Sequence, residues 1–202
     1  MPNITICDTN IAIKLVFFSS LDINRLNTHK YGTLKFHPIV IDELDRWVQA
    51  ANKGRVSKKI NRLGLDQVKK ALKLARQNTQ CFQMPTPKVK TASFGQYKSE
   101  FGKVKVNSAD PSDEDLLLIY HAESLNSYLV TCDQAVLKLG KRIIKEKAID
   151  IENLLTQAVV ENVLDIQDVK DLSANLDYVR ENFNLSRVLM DITKQSTTKV
   201  KK

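Results

Sequence analysis

Short apolar runs alternate with segments of helical periodicity along most of the chain. The runs that predict β-strands, because they are short and apolar, are residues 4–7, 34–37, 128–131 and 148–151. Segments of helical character lie between and after them, and residues 39–51, for example, place Ile41, Leu44 and Trp47 at helical spacing. Strands that alternate with helices predict an α/β fold in three layers, with a central and mostly parallel sheet flanked by helices.

Local sequence features predict where several helices begin and end. Ser112 is a favourable N-cap for a helix over residues 112–125, and Asp115 lies three residues further on. Residues 56–77 predict one or two basic helices with a break at Gly64. Gly140 predicts the end of a short helix that starts at Gln134.

The segment over residues 82–107 is the least regular part of the chain. It combines two prolines with scattered lysines, and we interpret it as a long loop or a pair of irregular strands. The aromatic residues within it, Phe94, Tyr97 and Phe101, have two interpretations. They could stack nucleobases, as in proteins that bind single strands, or they could pack a small satellite core.

The pattern divides the chain into a main domain and a helical appendage. Residues 1–151 form the predicted domain, with a basic insertion over about residues 52–108. Residues 152–195 show helical periodicity and form a predicted C-terminal extension. Residues 196–202 lack apolar periodicity beyond Val200, so we expect them to be disordered.

Composition is that of an ordinary globular protein. The chain has 202 residues, of which 43% are hydrophobic and 27% charged. No apolar run reaches the ~18 residues of a membrane span, and the N-terminus does not have the pattern of a signal peptide. Three widely spaced cysteines form no C-x-x-C pair, which favours buried thiols in a reducing cytoplasm.

The positive charge is concentrated in the middle of the chain. The net charge is +8, yet residues 53–105 carry fourteen Lys or Arg and only two acidic residues, a net of +12. Such a patch favours a polyanionic partner, although a basic face can also serve solubility alone. The candidates for contact with a nucleic-acid backbone are Lys58, Lys59, Arg62, Lys88 and Lys90.

Four acidic residues lie where the predicted fold would gather them. Asp8 follows the first strand, Glu43 lies in the helix after the second, Asp115 opens a helix and Asp133 follows the third strand. Sites in parallel sheets form beyond the carboxyl ends of the strands. Carboxylate oxygens are the ligands that Mg²⁺ and Mn²⁺ prefer, and such ions promote phosphodiester hydrolysis. Taken singly, each acid also has a structural explanation as a turn residue, a helix cap or part of a solvated helix face.

The contexts of these four acids, in their order, resemble the PIN-domain family of nucleases. The four segments are I-C-D-T-N-I-A-I, I-V-I-D-E-L-D-R-W, D-E-D-L-L-L-I-Y-H-A and Y-L-V-T-C-D-Q-A-V, which together span residues 4–136. The first is similar to the family's opening strand with D-T/S-N, and the second to its helix carrying E-L. The third is similar to the block with an Asp seven residues before a small Ala, and the fourth to the strand that ends in T-x-D.

The resemblance implies a PIN-like domain over residues 1–151 and a metal-dependent endonuclease that acts mainly on RNA. Asp8, Glu43, Asp115 and Asp133 match the family's catalytic and metal-binding acids. Asn10 and Thr131 match accessory polar positions, and Asp113 or Glu114 could take the place of Asp115. The resemblance implies a role as the toxin of a toxin–antitoxin pair or as an RNA-processing enzyme. The partners that it implies are an antitoxin or other regulatory protein, and a second copy of the chain in a homodimer.

Two other functions compete with this prediction. A catalytically silent PIN-like module could use the basic insertion to hold nucleic acid, and a scaffold protein could bind a partner through its helical extension. The chain has no G-x-x-x-x-G-K-[ST] motif and no local signature of a Ser-His-Asp or Cys-His site, which disfavours those chemistries.

Overall fold

A computed structural model of the chain describes residues 4–18, 26, 28–79, 87–101 and 111–200, without the side chains of 87–93 and 196–200. Within these residues four strands form one sheet: β1 (Ile4–Cys7), β2 (Thr33–Phe36), β3 (Tyr128–Val130) and β4 (Ala148–Ile149). The spatial order is β2-β1-β3-β4 and every pairing is parallel. All four carboxyl ends therefore lie at the same edge of the sheet.

Helices account for most of the remaining described residues. They are α1 (Thr9–Leu15), α2 (Pro38–Asn52), α3 (Lys58–Leu63), α4 (Leu65–Gln77), α5 (Pro87–Phe101), α6 (Asp113–Ser124), α7 (Gln134–Ile143), α8 (Ile151–Val160), α9 (Ile166–Tyr178) and α10 (Leu185–Val200). A 3-10 turn, Lys145–Lys147, leads into β4. Among the helices described, none is long and apolar enough to cross a membrane.

The two faces of the sheet bury two separate cores. Ile6 and Leu129 belong to one cluster with α6 and α7, whereas their neighbours Cys7 and Val130 belong to the other. Successive side chains of a strand point to opposite faces, so this division follows from the period of two. The second cluster extends over α1, α2, α4, α8 and α9. The predicted α/β fold of three layers, with a parallel sheet and a helical C-terminal extension, is confirmed.

Helix α5 corrects the prediction of a loop or irregular strands for residues 87–101, whereas residues 82–86 and 102–107 of that segment lie outside the described part of the chain. Phe94, Tyr97 and Phe101 recur at helical spacing, and Tyr97 is 9% exposed in the α6–α7 core. The Tyr120 ring lies 5.2 Å from the Tyr97 ring and 5.6 Å from the Phe94 ring. The structure therefore supports packing for these aromatics, although the core that they join is the α6–α7 core of the sheet and not a separate satellite core. The prolines misled the prediction because Pro87 is the first residue of the helix.

Two helix ends also differ from the predictions. Helix α7 continues through Gly140 to Ile143. The glycine is required there for close packing on β4 and not for a turn, because a Cβ at position 140 would stand 2.9 Å from the Ala148 Cβ. Helix α10 continues to Val200, where disorder was expected from residue 196. Extending a helix by one residue adds a hydrogen bond without a new nucleation cost. Residues 201 and 202 lie outside the described part.

Candidate metal centre

Asp8 lies at the carboxyl end of β1 and is held from three directions. Its backbone N–H donates to the Val130 carbonyl at 3.2 Å, which fixes the residue between β1 and β3. Its Oδ1 accepts from the Ile11 N–H at 2.9 Å and caps α1. Its Oδ2 accepts from the Thr131 hydroxyl and from the Cys132 N–H at 3.3 Å. The carboxylate is thus oriented before any ligand arrives.

Burial raises the pKa of Asp8 from its ordinary value of 3.8 to about 6. The hydrogen bonds from Thr131, Ile11 and Cys132 oppose this rise, and the charge of Asp115 adds to it. A raised pKa in a carboxylate that already accepts three hydrogen bonds marks an environment in which negative charge is unfavourable. A bound cation would make that environment favourable.

Asp133 is the N-cap of α7 and is joined to Asp8 through Thr131. Its Oδ1 accepts from the Ala135 N–H at 2.7 Å and the Val136 N–H at 3.1 Å. Its own N–H donates to Thr131 Oγ1 at 3.0 Å, while the Thr131 hydroxyl donates to Asp8. Thr131, which is fully buried, therefore couples the positions of the two acids.

Asp115 opens α6 in a capping box with Ser112. Its N–H donates to Ser112 Oγ at 3.1 Å, and its Oδ2 accepts from the Ser112 N–H at 3.2 Å, as the sequence predicts. Burial raises the pKa of Asp115, the bonds to Ser112 oppose this, and the charges of Asp133 and Glu43 add to it. The carboxylates therefore lie near enough to repel one another.

Glu43 reaches the same place from the middle of α2, and its Oε2 accepts a hydrogen bond from the Thr9 hydroxyl. Thr9 lies in the first turn of α1, directly after Asp8. This bond links α2, which follows β2, to the end of β1. Sequence reasoning did not identify Thr9, although it lies within the D-T-N segment.

The four acids line one cleft, which we call the acid cleft, with a volume of about 500 Å³. Its lining residues are Asp8, Thr9, Asn10, Ile39, Val40, Glu43, Arg46, Trp47, Lys59, Ser112, Glu114, Asp115, Leu118 and Asp133. The structure thus brings together every acid singled out as a metal ligand, at the carboxyl edge of the sheet. Trp47, which helical spacing places on the apolar face of α2, is half-buried and also lines the cleft.

The two acids that could replace Asp115 have other partners. Asp113 forms an ion pair with Lys98 at 2.7 Å. Glu114 lies in the lining of the acid cleft but faces Arg46 at 3.7 Å. Both pairs are exposed, so neither adds much stability. Their geometry nevertheless favours Asp115 as the member of the acid set.

The candidate cations for nucleic acid separate into different environments. Lys59 is half-buried and lines the acid cleft, and its Nζ donates to Asn10 Oδ1 at 2.6 Å. Lys58 is exposed beside it, and Arg62 forms an ion pair with Glu181. Lys88 and Lys90 lie in α5, where the side chains are outside the described part of the structure.

The chemistry of the donor set suits a hard divalent cation, since it consists of carboxylates with amide and hydroxyl oxygens nearby. Within the residues that the structure describes, no three acidic, His or Cys side chains are arranged to enclose a metal ion. The hydrogen bonds above explain this arrangement, because they turn both Asp8 oxygens and one oxygen each of Glu43, Asp115 and Asp133 toward protein donors. Carboxylates that repel one another spread apart unless a cation lies between them.

A second and larger cleft of about 940 Å³ adjoins the acid cleft and shares Asn10 and Asp133 with it. Its far wall is the turn between α9 and α10. Lys14, only 3% exposed, donates to the Asn182 carbonyl across this cleft. We call it the extension cleft, because the C-terminal helical extension forms one side of it.

Comparison with known proteins supports the fold alone. No protein-family model matches the chain, and no curated protein matches it. Among solved structures, the chain is similar to the crystal structure of PAE2754 from Pyrobaculum aerophilum, with a TM-score of 0.51 and 19% sequence identity. The match covers 77% of this chain and 88% of that one.

Proposed function

We propose that the protein is a metal-dependent endonuclease that hydrolyses phosphodiester bonds, with RNA as the favoured substrate. The observation that carries the proposal is the meeting of Asp8, Glu43, Asp115 and Asp133 in one cleft, where burial raises the pKa of both Asp8 and Asp115 and the charges of neighbouring acids add to the rise. Perturbed carboxylates gathered in a cleft are characteristic of functional sites. The resemblance to PIN domains supplies the preference for RNA.

The four acids are the residues that would hold Mg²⁺ or Mn²⁺. A divalent ion bound there supplies a Lewis acid for the phosphate and lowers the pKa of water at the site. Thr131 keeps Asp8 and Asp133 in fixed relative positions. Thr9 fixes the Glu43 carboxylate relative to the start of α1. Asn10 holds Lys59 at the cleft. These residues orient the acids, and such positioning supplies much of the catalytic gain in phosphoryl transfer.

A second candidate is a catalytically silent module that binds nucleic acid or a partner protein. It is favoured by the hydrogen bonds that already occupy both oxygens of Asp8. In either case we propose a cytoplasmic protein, consistent with the free thiols of Cys7 and Cys132. The roles of an antitoxin-like regulator and of a homodimer follow from the family resemblance only.

The decisive experiment incubates purified protein with mixed RNA and DNA substrates in Mg²⁺, Mn²⁺ or EDTA. We expect cleavage of RNA with either ion and none with EDTA. The Asp8→Asn variant, purified in the same way, controls for contaminating nucleases. Equal cleavage by this variant, or cleavage that persists in EDTA, would contradict the proposal.

Metal binding is tested separately by thermal unfolding with and without Mn²⁺. An ion that binds only the folded protein raises the free energy of unfolding by about 2.7 kcal/mol at a hundred times its Kd. Stabilisation by Mn²⁺ without any cleavage would favour the silent module, whereas no stabilisation at millimolar Mn²⁺ would contradict a metal site.

A further inference from the structure

Among the basic residues of the insertion whose side chains the structure describes, Lys59 is the one that lines the acid cleft. It is the second residue of α3, which Ser57 caps through a bond from the Ile60 N–H at 3.2 Å. Besides the 2.6 Å bond to Asn10 Oδ1, its Nζ lies 5.1 Å from the centre of the Trp47 ring. A lysine side chain in solution samples many rotamers, and holding it in a cleft with two contacts costs conformational entropy. A lysine held in this way suggests a function for its ammonium group.

The partners of Lys59 leave its charge available. Asn10 is a neutral amide, and the indole face attracts a cation without cancelling its charge. Across the part of the chain that is described, the ion pairs that fall within 4.0 Å do not include Lys59, although five carboxylates, those of the four acids and of Glu114, line the same cleft. The positive charge is therefore positioned but not neutralised.

An anionic substrate needs such a group. A phosphate chain that enters a cleft lined by five carboxylates meets strong repulsion, and the repulsion increases in a partly buried site because the effective dielectric constant is low. A fixed cation inside the cleft offsets the repulsion and costs little reorganisation when the phosphate arrives.

We propose, on the basis of the nuclease function above, that Lys59 contacts a phosphate of the nucleic-acid strand bound in the acid cleft. Trp47 and Asn10 act as positioning residues that aim its ammonium group. The contact supplies one defined point of attachment next to the acids. This is distinct from a diffuse basic surface, to which any lysine of the insertion would contribute equally.

Lys58 offers a matched comparison, since it precedes Lys59 in the same helix but is exposed. The test compares Lys59→Met, which retains an apolar stem against Trp47 and removes the charge, with Lys59→Arg and Lys58→Met. Lys59→Gln is a second variant without charge, in case Lys59→Met does not fold. Circular dichroism and thermal unfolding verify that each variant is folded.

Binding is measured with an RNA oligonucleotide in EDTA, where we expect no cleavage, so the readout does not depend on catalysis. Trp47 is the single tryptophan of the chain, and its fluorescence therefore reports on this cleft alone. We expect the oligonucleotide to change the emission of the wild type, because the ammonium group moves from the indole toward the phosphate. Lys59→Met should bind about tenfold more weakly, with a salt dependence reduced by about 0.7 log units per log unit of salt. Lys59→Arg should retain most of the affinity, and Lys58→Met should affect binding less than Lys59→Met does.

The outcomes separate this inference from the proposed function. Cleavage by the wild type together with unchanged binding by Lys59→Met would overturn the role of Lys59 and leave the nuclease in place. Weakened binding by Lys59→Met without cleavage by the wild type would overturn the nuclease and leave a phosphate contact in a silent module. Equal losses for Lys58→Met and Lys59→Met would reduce the effect to general basic charge, which would also overturn the inference.

Discussion

The two adjoining clefts are built from similar residues and differ in how their charges are paired. In the extension cleft, the buried carboxylate of Asp150 accepts from Arg187 at 2.8 Å, and Glu181 pairs with Arg62. In the acid cleft, by contrast, burial raises the pKa of Asp8 and of Asp115, and the charges of neighbouring acids add to the rise. The clefts share Asn10 and Asp133, so acids that are paired with arginines and acids that are not lie a short distance apart.

The comparison shows that volume is a poor guide to function in this molecule. The extension cleft is almost twice as large, about 940 Å³ against about 500 Å³. Two of its acids, Asp150 and Glu181, are paired with arginines of the protein itself, which suits a structural junction between the sheet domain and the helical extension. The acid cleft leaves part of its negative charge uncompensated, and this reduces stability unless a bound cation neutralises it.

The largest expected effect is on cleavage. Asp8→Asn and Asp133→Asn should each lower kcat/KM for RNA in Mn²⁺ by more than about 100-fold, since even residues that only support metal ligands cost 10–100-fold. Asp150→Asn in the extension cleft should leave cleavage within about threefold. Initial rates at several substrate concentrations give these values. A loss for Asp150→Asn as large as for Asp8→Asn would erase the distinction between the clefts.

The next effect is on the pH dependence of stability without metal. The pKa of Asp8 is raised to about 6 in the folded protein, so the folded state binds this proton more tightly than the unfolded chain. The contribution of Asp8 to stability is therefore full below about pH 4 and is lost as the pH rises through about 6, a fall of up to about 3 kcal/mol.

Urea unfolding in EDTA between pH 4 and pH 7 measures this effect, and Asp8→Asn isolates it by difference. The variant should lose less stability over that interval and be at least as stable as the wild type at pH 7. A variant whose stability falls in parallel with that of the wild type would show that Asp8 does not carry this proton.

A smaller effect is expected from the same substitution in the extension cleft. Asp150→Asn keeps the cap of α8, whose Asn153 N–H bonds to Asp150 Oδ1 at 2.8 Å, but removes the charge that Arg187 meets. We expect the free energy of unfolding at pH 7 to fall by about 1–2 kcal/mol. Denaturant unfolding without metal checks this value, and no loss would mean that the pair is not structural.

The smallest effect concerns the salt dependence of nucleic-acid binding. Lys59 faces the acid cleft, whereas Arg62 already pairs with Glu181 at the extension cleft. Lys59→Gln should reduce the slope of log K against log salt by about 0.7, and Arg62→Gln should change it much less. Filter binding of uncleavable RNA over a series of salt concentrations measures both slopes. A greater reduction for Arg62→Gln would move the substrate path into the extension cleft.

Features that depend on local periodicity or capping could be predicted from the sequence. The parallel sheet, the break at Gly64 between α3 and α4, and the capping box of Ser112 and Asp115 all agree with the structure. The acids could be located because sites in parallel sheets form at the carboxyl edge. Their assignment as metal ligands stays a prediction.

Other features could not be predicted because they depend on contacts between distant segments. The bonds of Thr9 to Glu43 and of Lys59 to Asn10 join residues 34 and 49 positions apart, and no local pattern announces them. Helix α5 shows the opposite problem: Phe94, Tyr97 and Phe101 had the spacing of a buried helix face, but the surrounding prolines and lysines outweighed it.

The positions of three acids at helix N-termini have a consequence for how many ions the cleft can hold. Asp8, Asp115 and Asp133 face the starts of α1, α6 and α7, and each helix dipole contributes up to about half a positive charge there. Together these dipoles offset up to about 1.5 of the four negative charges of the ionised acids. The remaining charge of about −2.5 is only slightly more than one divalent ion neutralises. We therefore expect the free protein to bind about one Mn²⁺ tightly in a calorimetric titration, with a second ion entering only together with the negative charge of an uncleavable oligonucleotide.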